Sequence, residues 1–317
     1  MNGRYGCDVL VVGRYYADLV FRGLAAPVRP GGEVFAADMD LVAGGAFTAA
    51  MALHRLGREV VWAADFGDDP FSGLVLAAAR VEGLNETGFH RQPGPLRNVS
   101  AVLSYAGERA MVSYQDPAGE RPLAALLLQF RPRVLFLPLL EFGARVKAAL
   151  PVARSLGTWV FMDCQDVAAS LDSPGLRDVL ARVDVFAPNE AEALRLTGAV
   201  KLDAALQTLA GFGGTVVVKR GAAGASAVCD GVRRDVGAVA VEAVDTTGAG
   251  DCFDAGFVHA RLAGMSLEDC LAVAVACGAA ATTGPGSRNA VDAVGLQRWL
   301  SRVPQRCAST TWTDAPE

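Results

Sequence analysis

The residues best suited to chemistry in this sequence lie at positions 245–251, which read DTTGAGD. Glycines just before a helix remove the side chains that would keep an anion away from the free N–H groups of the first helical turn. An aspartate in that turn can accept a proton from a hydroxyl group as it attacks a bound phosphorus atom. The stretch therefore predicts phosphoryl transfer, with Asp251 as the base and Gly248, Ala249 and Gly250 as the anion hole.

A helix must follow this stretch to position it. Phe253, Phe257 and Ala260 recur at helical intervals, and Gly264 ends the pattern, so the helix begins near Gly250. A second interpretation stays open on these residues alone, because a glycine turn with an acidic first helical turn stabilises any helix.

The full string and its apolar helix closely resemble the C-terminal signature of the ribokinase-like sugar kinases, the PfkB carbohydrate kinase family. The similarity runs from Gly13 to the loop at Gly286, with the motifs in family order. It implies ATP-dependent phosphorylation of a hydroxyl group on a sugar or sugar-like molecule, with Mg²⁺ as the cofactor. We expect this hydroxyl group to be a primary one. The chain contains no Gly-Lys pair and therefore no P-loop motif, so phosphate binding would rest on the glycine turn.

The resemblance places the acceptor site near the amino terminus. Asp18, in the predicted loop after the first strand, matches an aspartate that binds sugar hydroxyls, and Gly44 and Gly45 match a pair that touches the sugar. Without the resemblance, these residues also fit a solvated loop and a helix entry with unusual dihedral angles. Ribokinases usually carry sugar-binding asparagines at the positions of Tyr16 and Ala49. Since tyrosine can stack on a sugar or a base, a nucleoside kinase is the alternative function, and a catalytically silent sugar- or nucleotide-binding regulator is the third.

The resemblance also implies the nucleotide and magnesium sites. Asn189 and Glu192 match an Asn-x-x-Glu element that holds Mg²⁺ and phosphates through water, although the same residues are typical of an ordinary helix start. Gly221 and Gly224 form a loop expected to face the nucleotide. Lys219, just before it, either approaches a phosphate or is a solvated strand end.

Two further expectations come from the same resemblance. Cys277 stands where ribokinases often have an asparagine that faces adenine. Asp245 and Thr247 match the site of a monovalent cation, K⁺, and Thr247 is also expected at the nucleotide.

The elements that carry these residues predict an α/β fold. From Val134 onward, near-continuous apolar strands alternate with helical segments, which predicts a mostly parallel sheet between two helical layers. Four short strand-like runs, at 18–21, 34–39, 100–105 and 110–115, predict a small β-sheet lid from about residues 14–42 and 98–116. We expect a ribokinase-like three-layer sandwich over residues 1–303 and a C-terminal tail over 304–317.

Composition and charge exclude several other classes. A formal net charge of -5 without a basic stripe argues against nucleic-acid or membrane-surface partners. The mostly polar residues 1–8 and the short apolar run at 9–12 predict no signal peptide, and no run reaches the ~18 apolar residues needed to span a bilayer. The 7 scattered cysteines indicate reduced thiols and a cytoplasmic protein. Exposed lid strands predict a homodimer formed through the lids.

Overall fold

The computed structural model describes residues 5–105, 109–165, 168–304 and 310–311. The central sheet contains β1 (Cys7–Val12), β4 (Val60–Phe66), β5 (Phe89–Arg91), β8 (Pro132–Leu137), β9 (Trp159–Asp163), β10 (Val185–Ala187), β11 (Thr215–Lys219), β12 (Ala225–Cys229), β13 (Val232–Val236) and β14 (Thr310–Thr311). The helices are α1 (Ala46–Arg55), α2 (Pro70–Val81), α3 (Leu123–Phe130), α4 (Ala144–Leu156), α5 (Leu176–Leu180), α6 (Glu190–Thr197), α7 (Leu202–Ala210), α8 (Ala249–Leu262), α9 (Leu267–Ala281) and α10 (Leu296–Leu300).

Among the described residues the central sheet has the strand order β14-β13-β12-β11-β10-β9-β8-β1-β4-β5. In this spatial order, every neighbouring pair from β5 across to β11 is parallel, and every neighbouring pair from β11 across to β14 is antiparallel. Because neighbouring parallel strands end at one edge, the residues after β1, β9, β10 and β11 meet there.

Helices cover both faces of the sheet, as the continuous apolar strands predict. Val9 and Val11 of β1 pack with residues of α1, α2, α8 and α9, whereas Leu10 and Val12 pack with residues of α3 to α7. Alternate side chains of one strand thus enter two separate cores. The expected three-layer sandwich is confirmed.

The lid is a second sheet, formed by β2 (Tyr15–Arg22), β3 (Asp38–Gly45), β6 (Asn98–Ser104) and β7 (Arg109–Gln115) in the order β3-β2-β6-β7. The small sheet is confirmed, but its strand bounds differ from the prediction. Asp18 lies within β2 rather than in a loop, and residues 34–37 precede β3 instead of forming a strand. The strand continues through the glycine pair because Gly44 and Gly45 pair with Tyr16 and Tyr15.

Parts of two predicted segments lie outside the described residues. Residues 106–108, between the predicted strand-like runs 100–105 and 110–115, are not described. Of the predicted tail 304–317, the structure describes Pro304 and the two residues of β14, which pair with β13. No helix in the described ranges is both long and apolar enough to cross a membrane.

Candidate active site

The glycine turn is the amino-terminal cap of α8. Gly248 caps the helix with a φ of 72°, a left-handed conformation that favours glycine. A Cβ atom there would overlap Ser287 Oγ and lie 2.8 Å from Thr48 Cγ2 of α1. The turn is therefore fixed between α1 and the short turn Pro285–Ser287, at the amino-terminal end of α8. Ala249 N donates to the Thr246 carbonyl oxygen at 3.3 Å, so the helix entry is also held from within the turn.

Asp251 lies in the first turn of α8 and is partly buried. Burial raises the pKa of its carboxyl to about 7; the charges of Asp163 and Asp18 also raise it, whereas Lys219 lowers it. A carboxylate with a pKa near neutrality is a stronger proton acceptor than an exposed one and is still ionised above that pH. A carboxyl group with this raised pKa is suited to act as a general base.

A buried ion cluster lies beside this turn. Lys219 Nζ, at the end of β11, donates to Asp163 Oδ1 at 2.5 Å and to Asp254 Oδ2 at 3.0 Å. The exposed fractions of these side chains are 12% for Lys219, 9% for Asp163 and 0% for Asp254. The interpretation of Lys219 as a solvated strand end is therefore wrong.

The sequence did not identify Asp163 and Asp254 as candidate site residues. Asp163 is the last residue of β9, at the sheet edge where ligands collect, and Asp254 follows Asp251 by one helical turn. The signals that could have found them are a carboxylate at a parallel strand end and a carboxylate at the i+3 position of a candidate base.

On the lid side, Asp18 and Gly44 form one unit. Asp18 is 4% exposed, and burial raises the pKa of its carboxyl to about 6, while a hydrogen bond from Ser100 lowers it and the charge of Asp245 raises it. A Cβ atom on Gly44 would overlap Asp18 Oδ2. Glycine at this position therefore leaves room for the aspartate side chain.

Gly45 turns the chain from the lid into α1. Its φ is 65°, and a Cβ atom there would lie 2.7 Å from the carbonyl oxygen of Arg14. Each glycine of the pair thus occupies a position where a Cβ atom would clash with a neighbouring atom. The pair connects the lid directly to α1, the helix that packs against the Gly248 turn.

Tyr16 and Ala49, the positions of the two missing asparagines, differ in their placement. The half-buried Tyr16 donates from its hydroxyl group to Gln115 Oε1 at the end of β7, at 2.7 Å. Ala49 is 0% exposed and belongs to the core between α1 and the sheet. The prediction that Ala49 contacts the acceptor is therefore wrong, because its small side chain is buried in that core.

A cleft of about 590 Å³ lies on the other side of the glycine turn. The sequence-predicted residues that line it are Lys219, Gly221, Gly224, Ala249 and Gly250. The rest of its wall comes largely from residues 238–241, after β13, and from one face of α9. These apolar walls were missed because nothing in their composition distinguishes them from core.

Cys277 does not reach this cleft. It is 2% exposed, and a Cβ atom on Gly256 of α8 would lie 2.8 Å from its sulfur, so the side chain packs between α8 and α9. Val275, Gly278 and Ala279 form the cleft-lining face of α9 instead. The correction follows from helix periodicity, since a step of one residue rotates the side chain by about 100°.

Asn189 and Glu192 form a capping box at the start of α6. Asn189 N donates to Glu192 Oε2 at 2.8 Å, and Glu192 N donates to Asn189 Oδ1 at 2.9 Å. Glu192 is 6% exposed, and burial raises the pKa of its carboxyl to about 7, although the Asn189 N–H group lowers it. Since Asn189 pairs with Lys219 in an isolated β-bridge, the box lies beside the ion cluster.

Asp245 and Thr247 connect the glycine turn to the loop after α9. Asp245 Oδ1 accepts from Thr247 N and Asp245 Oδ2 accepts from Gly286 N, each at 2.9 Å. Ser287 Oγ donates to the Thr247 carbonyl oxygen at 2.7 Å. Thr247 Oγ1 is buried and has no hydrogen-bond partner within the described part of the chain, and Thr246 rather than Thr247 lines the cleft.

Comparisons with known proteins show the family and the fold of this chain. The family model described as "pfkB family carbohydrate kinase" matches residues 8–293. The acarbose 7(IV)-phosphotransferase of Actinoplanes sp. is 30% identical over 260 residues, which cover 78% of this chain and 83% of that protein. The cytidine kinase of Thermococcus kodakarensis is 41% identical over 100 residues, which cover 30% of this chain and 36% of that protein.

A solved structure has the same fold. The crystal structure of ribokinase from Thermotoga maritima superposes with a TM-score of 0.75 at 21% identity, covering 93% of this chain and 99% of that chain. Together with the family match, these similarities show that the chain belongs to the pfkB family of carbohydrate kinases and is an ATP-dependent kinase of that family.

Proposed function

We propose that the protein transfers the γ-phosphoryl group of ATP to a primary hydroxyl group of a sugar or sugar-like molecule bound beneath the lid. One observation carries the proposal: Asp251 is close enough to both Asp18 of the lid and Lys219 of the cleft for their charges to shift its pKa. These two interactions support a position for the base between the proposed acceptor and nucleotide sites.

In this proposal, each part of the site has one task. Asp18, with Gly44 and Gly45, holds hydroxyl groups of the acceptor, and the ring of Tyr16 borders it. Asp251 takes the proton of the attacking hydroxyl group as the new P–O bond forms and the bond to ADP breaks. The N–H groups at Gly248 to Gly250 stabilise charge on the transferring oxygens, and the lid excludes water.

The cation sites are part of the same proposal. Glu192, and Asn189 beside it, would hold Mg²⁺ through water, and the buried Glu192 carboxyl fits this role because a cation would favour its charged form. Magnesium would supply neutralisation of phosphate charge. Asp245 and Thr247 would hold K⁺, since Thr247 Oγ1 is a buried oxygen that lacks a partner among the described residues. We also propose a cytoplasmic location, supported by six described cysteines that are free thiols.

A nucleoside acceptor is the alternative within the same reaction. It is favoured by the half-buried ring of Tyr16 and by the similarity of part of the chain to a cytidine kinase. A silent regulator is not retained, because the chain is an ATP-dependent kinase.

Turnover of Mg-ATP against a panel of pentoses, hexoses, keto-deoxy acids and nucleosides, with and without K⁺, tests the proposal. We expect acceptor-dependent ADP release with one strong sugar or sugar acid. Strong turnover with a nucleoside alone would select the alternative, and ADP release that no acceptor stimulates would contradict the proposal.

The Gly44→Ala variant tests the acceptor site. Its methyl group would displace the Asp18 carboxylate, so we expect the acceptor KM to rise by about 10- to 100-fold, the effect of losing a charged hydrogen bond. The ATP KM should change little. Gly73→Ala in α2 is the matched control, since a Cβ atom there meets no atom within 4 Å. Equal acceptor KM values for Gly44→Ala and wild type would remove Asp18 from the acceptor site.

We propose further that the protein forms a homodimer through the outer faces of its lids. Strand register places apolar side chains on one face of the lid: Leu19, Phe21, Met39, Leu41, Ala101, Leu103, Val112 and Tyr114. The opposite face carries Asp18, Ser100 and Ser113. Large apolar residues on the outer face are unusually open, for example Met39 at 52% and Val112 at 69% exposed.

We expect the apolar outer face of the lid to be covered by the lid of a second copy of this chain. Static light scattering is expected to give twice the chain mass for wild type and a monomer for Val112→Lys. Val200→Lys, at a position 93% exposed outside the lid, is the control and should remain dimeric. A monomeric wild-type protein at high concentration would refute the proposal.

A further inference from the structure

We propose that Lys219 is a positioning residue, held between Asp163 and Asp254, that fixes the first turn of α8 against the carboxyl ends of β9 and β11. The glycine turn and Asp251 would thereby meet the phosphoryl group in a single orientation. The inference rests on the proposed function, since it assigns Lys219 a role in that reaction.

The hydrogen bonds of Lys219 are the first argument. An ammonium group has three protons, and Lys219 donates two of them to carboxylates, at 2.5 Å to Asp163 and 3.0 Å to Asp254. With 12% of its side chain exposed, Lys219 has little freedom to follow a ligand. A lysine that simply binds phosphate from solvent would not be held in this way.

The position of Asp254 is the second argument. It lies three residues after Asp251, so both side chains project from neighbouring turns on one side of α8. Asp254 is 0% exposed, and its Oδ1 atom has no hydrogen-bond partner among the described residues. The bond from Lys219 to Asp254 Oδ2 therefore joins the catalytic end of α8 to the end of β11.

The third argument is the closeness of Lys219 to the anion hole. A Cβ atom on Gly250 would lie 3.7 Å from Lys219 Nζ. Any rotation of the first turn of α8 would change this contact and the ion pairs together. This distance is an ordinary van der Waals contact, so the ammonium group lies directly beside the backbone whose N–H groups are proposed to receive the phosphoryl charge.

Stability alone does not explain the cluster. Burying three ionisable groups costs about as much as their mutual attraction returns, and apolar replacements of buried ion pairs are often neutral or stabilising. A geometric role accounts for the burial of two aspartates around one lysine, because ion pairs with short fixed distances define the register of the elements that carry them.

A double-mutant cycle tests the inference, with Lys219→Met, Asp254→Asn and the combined variant. Each purified protein is assayed for kcat and acceptor KM, for ATP Kd by calorimetry and for thermal stability. We expect Asp254→Asn to lower kcat by about tenfold or more, within the range of coupling between contacting residues. ATP Kd and acceptor KM should remain near the wild-type values. Lys219→Met should lower kcat further, and the combined variant should be no worse than Lys219→Met alone.

Two controls separate positioning from other effects. Lys219→Arg retains the charge and should recover part of kcat. Glu82→Gln removes a carboxylate from the ion pair with Arg55 between α1 and α2, outside the site, and should leave kcat unchanged. These comparisons are made well below the unfolding temperature of every variant.

Several outcomes would overturn the inference. Wild-type kcat in Asp254→Asn would do so even if Lys219→Met fails to fold. Additive effects on kcat together with a raised ATP Kd in Lys219→Met would assign Lys219 to direct phosphate binding. Failure of the proposed function is distinguishable, because the wild-type protein would then show no acceptor-dependent turnover.

Discussion

Asp251→Asn is expected to lose about 10²- to 10⁴-fold in kcat, the usual contribution of a general base, while its fold is retained. The amide has nearly the same shape as the carboxylate but cannot accept the hydroxyl proton. Because burial disfavours the charged form of Asp251, a neutral amide at this position is not expected to destabilise the fold. Steady-state kcat and circular dichroism of both proteins check the two parts of this result.

The pH profile gives the matching observation in the wild-type protein. The ratio kcat/KM reports the free enzyme, in which the pKa of Asp251 is about 7 and that of Asp18 is about 6. We therefore expect kcat/KM to fall about tenfold per pH unit just below pH 7, and more steeply below pH 6 as Asp18 also takes a proton.

Stability should change in the opposite direction to activity. The pKa of Asp251 is higher in the folded protein than its ordinary value of 3.8, so folding favours the protonated form and stability falls as the pH rises from about 4 to about 7. Asp251→Asn lacks this penalty, and its unfolding temperature at pH 8 should exceed that of wild type. Undiminished turnover in this variant would remove Asp251 from the role of base.

Gly248→Ala is expected to lose about 10²- to 10³-fold in kcat, the range measured when an anion-hole donor is displaced. Its methyl group would overlap Ser287 Oγ and press on Thr48, so the turn must move away from α1. This movement would turn the N–H groups of α8 from the phosphoryl group. The variant should also be less stable, because alanine is strained at a φ of 72°.

Gly264→Ala is the matched control at the other end of the same helix. Its φ is 76°, but a Cβ atom there meets no atom within 4 Å. It should show a similar strain, about 1–2 kcal/mol in unfolding free energy, with an unchanged kcat. If the two variants had equal kcat values, the glycine turn would not be the anion hole.

Features that depend on nearby residues were predictable. The start of α8 beside Gly250 and the helix start at Asn189 and Glu192, which the structure shows as a capping box, each depend on residues within three positions of one another. Such contacts follow from local hydrogen bonding and helix periodicity, so the sequence contains them directly. The alternation of apolar strands and helices likewise predicted both helical layers.

Features that depend on what lies opposite a residue were not predictable. The helical repeat predicts which residues of α9 share a face with Cys277. It does not predict whether that face packs against α8 or lines the cleft. The same limit applies to Ala49, whose position matches a sugar-binding asparagine and whose side chain lies in the core.

The sequence by itself thus determined the fold class, the glycine turn and the candidate base Asp251, because these depend on short-range pattern. Tertiary structure alone decided the partners of Lys219, which are Asp163, 56 residues away, and Asp254, 35 residues away. It also decided the apolar outer face of the lid, which exists only once four distant strands are in register. Burial and pairing of this kind are set by the packing of whole elements, which the spacing of residues along the chain does not specify.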